Sequence, residues 1–178
     1  KYASLYEESM YNALLGGLAM DGKTFYYPNP LDSRSLRTSW HSVPCCVGNI
    51  PRTLLSMPTW MYSKSRDGLY VNMFVGSTVT LDNVNGVDVE MVQETNYPWD
   101  GKVAITLKPN ATKRFSVRIR VPDRDVSELY TSSPSANGIT SIVVNGAKTQ
   151  PVIDRGYAVI DRTWKAGDKI ELDLPMPV

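Results

Sequence analysis

Phe115-Ser116-Val117-Arg118-Ile119-Arg120-Val121 alternates apolar and polar residues without a break. In an extended chain successive side chains point to opposite faces. A period of two therefore puts Phe115, Val117, Ile119 and Val121 on one side and Ser116, Arg118 and Arg120 on the other. The stretch predicts a half-buried strand with one wet face. Residues 69–75, 78–82, 87–95, 102–108, 141–144, 157–161 and 169–174 carry β-branched and aromatic residues in similar short runs. Asp67-Gly68, Asn85-Gly86, Asp100-Gly101, Asn145-Gly146 and Ala166-Gly167-Asp168 punctuate them as turns, and residues 131–138, rich in Ser, Asn and Pro, read as a surface loop. About eight short strands at this spacing predict an antiparallel β-sandwich.

Upstream the period changes. Met10, Leu14 and Leu18 fall on one helical stripe, with Leu5, Tyr11 and Leu15 alongside, and Asp21-Gly22 is expected to stop that helix. Phe25-Tyr26-Tyr27 is short and aromatic, and Pro28-Asn29-Pro30 forbids regular structure. A second helix is expected from Asn49 as its cap, with Pro51 in the first turn and Ile50, Leu54, Leu55 and Met61 as the apolar face. Pro58 lacks an N–H and clashes with the carbonyl of Leu54, so a kink or break is expected there. The division that follows is residues 1–64, helical, and residues 65–178, sandwich. A helical segment of some 60 residues has an incomplete core of its own. It must pack on the sandwich, on another chain or on further helices.

The 178 residues carry 19 basic and 18 acidic side chains, a balance without the electrostatic footprint of a nucleic-acid or anionic-membrane binder. Apolar residues make up 42%, enough for a packed core, and no apolar run approaches the length of a bilayer span. The sequence opens on Lys1-Tyr2-Ala3-Ser4, without Met or a capping pattern, and is expected to begin inside a larger protein.

Cys45 and Cys46 are the only cysteines, and they are adjacent, four residues from the only histidine, His41. A disulfide between neighbours is strained, so these are two thiols delivered to one place. Two readings stay open. They are small buried hydrophobes ahead of a helix, or thiolates favoured by the helix N-terminus, able to act as nucleophile or metal ligand. Glu7-Glu8 reads on its own as a solvated helix face. Trp99 and Trp164 fall in turns, where an indole either binds carbohydrate or covers the end of a core. There is no phosphate-binding glycine loop and no serine nucleophile elbow.

Several motifs together resemble glycoside hydrolase family 127, the β-L-arabinofuranosidase family and its relatives. They are Glu7-Glu8-Ser9-Met10-Tyr11-Asn12, Phe25-Tyr26-Tyr27, Asn29-Pro30-Leu31, Cys45-Cys46 followed by Asn49, and Tyr70-Val71-Asn72. Further along come Thr95-Asn96-Tyr97-Pro98-Trp99-Asp100-Gly101, Arg118-Ile119-Arg120-Val121-Pro122, Val144-Asn145-Gly146, Gly156-Tyr157 and Arg162-Thr163-Trp164-Lys165-Ala166-Gly167-Asp168. The likeness covers nearly the whole chain in the same order. It implies a mainly β fold, a jelly-roll-like antiparallel β-sandwich preceded by a short helical remnant of an (α/α)6 catalytic barrel. It also implies a zinc-dependent retaining glycosidase acting on β-L-arabinofuranosides or related plant glycans. On that resemblance Cys45 is the nucleophile and a zinc ligand, Cys46 a zinc ligand, and Glu7 and Tyr27 contact the sugar. The remaining zinc ligands, a Glu and a third Cys, and the acid/base Glu belong to an N-terminal part of the barrel and have no counterpart here.

The implied partners are thus a carbohydrate substrate and the rest of the barrel, with neither nucleic acid nor membrane. The chain alone is expected to be inactive and to hold zinc weakly. Relatives of this kind occur in bacteria as exported and as cytoplasmic proteins, which fixes no compartment. Two departures from the family pattern are Pro58, within a helix that normally continues, and Asp123-Arg124, where Gly-Trp is usual. The alternative is a non-catalytic sandwich, either carbohydrate-binding through Trp99 or Trp164 or purely structural.

Overall fold

The computed structural model describes residues 2–26, 32, 34, 36, 48–123 and 137–176. The chain divides into two compact units, Tyr2–Pro58 and Thr59–Val178.

In the first unit α1 (Tyr2–Ser9) runs on into a π-helical turn (Met10–Leu14) and a 3-10 turn (Leu15–Gly17). The helix therefore ends before Asp21-Gly22. After Gly16-Gly17 the backbone becomes extended at Leu18, which bridges to Phe25, and Asp21-Gly22 is the turn of that small bridge. Glycines weaken a helix interior by about 1 kcal/mol each relative to alanine, which explains the early stop. The second helix, α2 (Asn49–Ser56), starts where expected. Its cap position is Gly48, and the Asn49 side chain instead accepts a hydrogen bond from the Arg52 guanidinium at 2.8 Å. Of its expected apolar face, Ile50 and Leu54 are half-buried and Leu55 is exposed. The break at Pro58 is present. Met57 closes α2 onto Thr53 and Leu54, and α3 (Pro58–Met61) begins at the proline, where a missing N–H costs nothing.

The second unit is a two-sheet sandwich. One sheet has the order β1-β2-β6-β10-β9, with β1 (Tyr62–Ser65), β2 (Gly68–Val71), β6 (Lys113–Arg120), β9 (Val152–Asp154) and β10 (Tyr157–Trp164). The other has the order β3-β4-β5-β11-β7-β8, with β3 (Ser77–Val84), β4 (Val87–Thr95), β5 (Lys102–Pro109), β7 (Ser141–Val144), β8 (Ala147–Lys148) and β11 (Asp168–Asp173). All pairs are antiparallel except β2 with β6. The mainly β sandwich expected from the sequence is the observed fold. The strands the sequence hid are β1, β8 and β9, all of four residues or fewer.

The inward positions follow the period of two. Leu69, Val71, Phe115, Val117, Ile119, Ala158 and Ile160 come from the first sheet, and Val89, Met91, Ile105, Leu107, Ile170 and Leu172 from the second. Each large apolar side chain so buried contributes about 1.5–3 kcal/mol. Trp164 belongs to this core. It ends β10, has 0% exposure, and donates its indole N–H to the Phe115 carbonyl at 3.0 Å. That burial removes Trp164 as a carbohydrate platform.

Two turns owe their glycines to close approach. A Cβ on Gly101 would fall inside the carbonyl group of Leu174, whose N–H donates to the Gly101 carbonyl at 2.9 Å. Gly68 is confined in the same way by the Ser116 carbonyl. Neither glycine has a positive φ, so the constraint at both is steric and not one of turn conformation. Gly101→Ala is expected to destabilise the chain by about 2–3 kcal/mol. In urea denaturation this is a lower midpoint at an unchanged slope.

Candidate functional site

The sequence nominated Glu7, Tyr27, Cys45 and Cys46. Glu7 lies on α1 and is 2% exposed, and Glu8 is half-buried. This corrects the solvated-face reading of the pair, which weighed the acids without knowing what covers the helix. Tyr27, Cys45, Cys46 and His41 lie outside the described residues, as does most of the 131–138 loop. Within the first unit, Tyr6, Met10, Ala13, Leu14, Tyr26 and Ile50 line a mainly apolar hollow of about 420 Å³. Glu7 is not among its lining residues.

The sandwich brings together residues that the sequence presented as separate motifs. Alternate positions of β2, β6 and β10 put Tyr70, Arg118, Arg120 and Tyr157 on the outer face of the five-stranded sheet, with Asn72 just beyond β2. Asn72 ties the group together. Its side chain donates to the Trp60 carbonyl at 3.1 Å and to the Ser63 hydroxyl at 3.3 Å, and it accepts from the Tyr157 hydroxyl at 2.8 Å. Its own carbonyl accepts from Arg120 Nε at 2.6 Å. The Arg120 guanidinium lies 5.4 Å from the centre of the Phe74 ring, and that of Arg118 lies 5.1 Å from the Tyr70 ring. Tyr70 meets Tyr157 edge-to-face at 5.2 Å, and burial pushes the Tyr157 hydroxyl pKa up.

The wet face expected for residues 115–121 is therefore not wet. Ser116 is buried and Arg120 is only 3% exposed: β6 lies mid-sheet, and the Arg118 and Arg120 guanidinium groups sit over aromatic rings. Guanidinium heads over rings at such distances are worth about 0.5–2 kcal/mol each. Period-two alternation carried the correct facing. It could not show that the second face would be covered.

At the rim, Arg118 Nη2 pairs with Asp67 Oδ2 at 2.7 Å. Hydrogen bonding to that guanidinium, and next to the Ser65 hydroxyl, holds the Asp67 carboxyl down at about 2. The arrangement positions strands. Its hydrogen bonds are mutually satisfied, and it sets no nucleophile beside a base.

Two sequence profiles match the chain in succession. The catalytic domain of GH127 beta-L-arabinofuranosidase matches residues 1–59, and the middle domain of the same enzymes matches residues 68–176. The chain belongs to glycoside hydrolase family 127. The non-reducing end beta-L-arabinofuranosidase of Bifidobacterium longum subsp. longum is 27% identical, over 99% of this chain and 27% of its own length. A GH127 beta-L-arabinofuranosidase from Geobacillus stearothermophilus T6 superposes with a TM-score of 0.82 at 34% identity, over 99% of this chain and 28% of that one. A further GH127 beta-arabinofuranosidase gives 0.81 at 29% identity, over 98% and 28%. This family 127 chain thus spans just over a quarter of the length of these relatives.

The Asp67–Arg118 pair gives a pH signature. A carboxyl depressed in the folded state contributes stability above its unfolded pKa and loses that contribution as pH falls through its folded pKa. The stability difference between the natural chain and Asp67→Asn is expected to be full above about pH 5, to shrink between about pH 4 and 2, and to vanish below. Asp67 is 62% exposed, so solvent screening holds the difference below about 1 kcal/mol. Denaturant titrations of both proteins at several pH values measure it.

Proposed function

We propose that this chain is part of a zinc-dependent retaining glycoside hydrolase acting on β-L-arabinofuranosides or related plant glycans. The observation that carries the reading is the succession of the catalytic-domain and middle-domain matches along one sequence. In this reading residues 1–64 belong to the catalytic barrel and residues 65–178 form the sandwich domain.

In this reading Cys45 is the nucleophile. Its thiolate attacks the anomeric carbon while the bond to the leaving oxygen breaks, and that oxygen takes a proton from an acid. Water then gives a proton back to the conjugate base of that acid and displaces the thiolate from the anomeric carbon, with net retention of configuration. Glu7 and Tyr27 contact the sugar. Zinc suits the thiol pair in kind, since adjacent thiolates are preferred ligands. They supply two of the four donors a tetrahedral site needs, and His41 is the one histidine in the sequence. Among the described residues no three His, Cys, Asp or Glu side chains are grouped to hold an ion. When bound, zinc lowers the thiol pKa and keeps Cys45 ionised at neutral pH.

Two measurements test the reading. In the protein encoded by the complete reading frame, Cys45→Ser should lower turnover of an aryl β-L-arabinofuranoside by at least about 1,000-fold. Turnover near the natural value would remove Cys45 as nucleophile. The 178-residue chain by itself should show no turnover and should surrender zinc to a micromolar chromophoric chelator. Retention of one equivalent of zinc would mean that this chain completes the site.

A further inference from the structure

The outer face of the six-stranded sheet carries a groove of about 560 Å³. Two cross-strand rows build it. One runs Glu94 on β4, Ala104 on β5, Glu171 on β11 and Val143 on β7, and the next runs Lys102, Asp173 and Ser141 on β5, β11 and β7. Neighbouring strands lie about 4.8 Å apart, so the backbones of Glu94 and Glu171 stand roughly 10 Å apart with a single methyl group between them. The small residue makes a notch about one sugar ring wide. Its floor is apolar, from Ala104 and Val143, and its end is closed by the β4–β5 turn through Asn96 and Asp100. That turn also holds Trp99, 90% exposed, whose backbone N–H donates to the Asn96 carbonyl at 2.9 Å.

The groups around the notch are of both hydrogen-bonding kinds. Among the described residues nothing pairs with the carboxylates of Glu94 and Asp173 or with the Lys102 ammonium, whereas Glu171 is held by Lys169 at 3.0 Å. Among the described residues no three acids converge to chelate a cation. Spaced carboxylates accept from hydroxyl pairs, an ammonium donates to hydroxyl or ring oxygens, and an apolar floor receives the C–H face of a ring. A few placed polar groups around an apolar surface of this volume are the usual make-up of a small-ligand site.

We propose that this groove binds a neutral oligosaccharide and gives the sandwich an accessory glycan subsite. The choice of an arabinose-based ligand rests on the glycosidase reading, while the groove itself rests on the register of β4, β5, β11 and β7.

The probe is arabinotriose, titrated into the ¹⁵N-labelled 178-residue chain. Saturable shifts are expected at the amides of Ala104, Val143 and Glu171. Ala104→Leu fills the notch on an exposed strand face and should weaken binding at least tenfold, and Glu94→Gln should weaken it several-fold with the spectrum otherwise retained. No saturable shift at these amides, or binding by Ala104→Leu equal to the natural chain, overturns the proposal. Turnover of an aryl arabinofuranoside by the complete protein separates the two readings. Binding without turnover supports the groove and removes the glycosidase assignment, and turnover without binding removes the groove alone.

Discussion

A chain that passes from one sheet of a sandwich to the other must carry its peptide groups past an apolar interior, and an unpaired buried carbonyl costs about 1–3 kcal/mol. Here that passage is residues 72–76, between β2 and β3, and Gln93 makes it tolerable. Its side-chain NH2, 2% exposed at an inward position of β4, shares its two hydrogens among the Met73 and Val75 carbonyls at 3.1 and 2.8 Å and the Tyr62 hydroxyl at 2.8 Å, while its own Oε1 is left without a partner among the described residues. Tyr62 in turn shares a 2.6 Å hydrogen bond with Ser77, and burial pushes the Tyr62 pKa up. One polar residue among the inward positions of β4 thereby joins the first strands of both sheets. The cluster around Asn72 begins at the outer end of the same passage, so the polar face and the core share one anchor.

Much of this fold was legible in the sequence, and the reasons are local. Asn85-Gly86 and Asn145-Gly146 adopt the left-handed pairs that tight hairpins demand, with φ of 50° and 90° in the first and 51° and 81° in the second. Arg155-Gly156 does the same without an Asn to announce it. Strand β4 alternates along its whole inward face. What escaped was tertiary in origin. The expected strand at 69–75 loses its ladder after Val71 because the chain leaves the sheet there. Trp164 lies beyond the strand expected at 157–161, and only the extension of β10 to that residue puts its indole on the inward face with Ala158 and Ile160.

The candidate site divides in the same way. The thiol pair, Tyr27 and Glu7 were found through resemblance, since residue type and spacing alone left the thiols between core and chemistry. Of these only Glu7 falls among the described residues, and its burial marks a carboxylate with a defined surrounding in place of a solvated one. The aromatic and guanidinium cluster on β2, β6 and β10 was visible as motif fragments. Joining them required the parallel register of β2 with β6, which pairs residues 48 positions apart along the chain.

That register has a bearing on modularity. The five-stranded sheet takes strands 1, 2, 6, 9 and 10, and the six-stranded sheet takes the rest, so neither sheet is a contiguous stretch of sequence. A recombination junction placed anywhere between β3 and β10 severs both sheets at once. The sandwich can therefore be inherited, transplanted or lost only whole. Insertions fit at its hairpin tips, where added residues leave both strand orders intact.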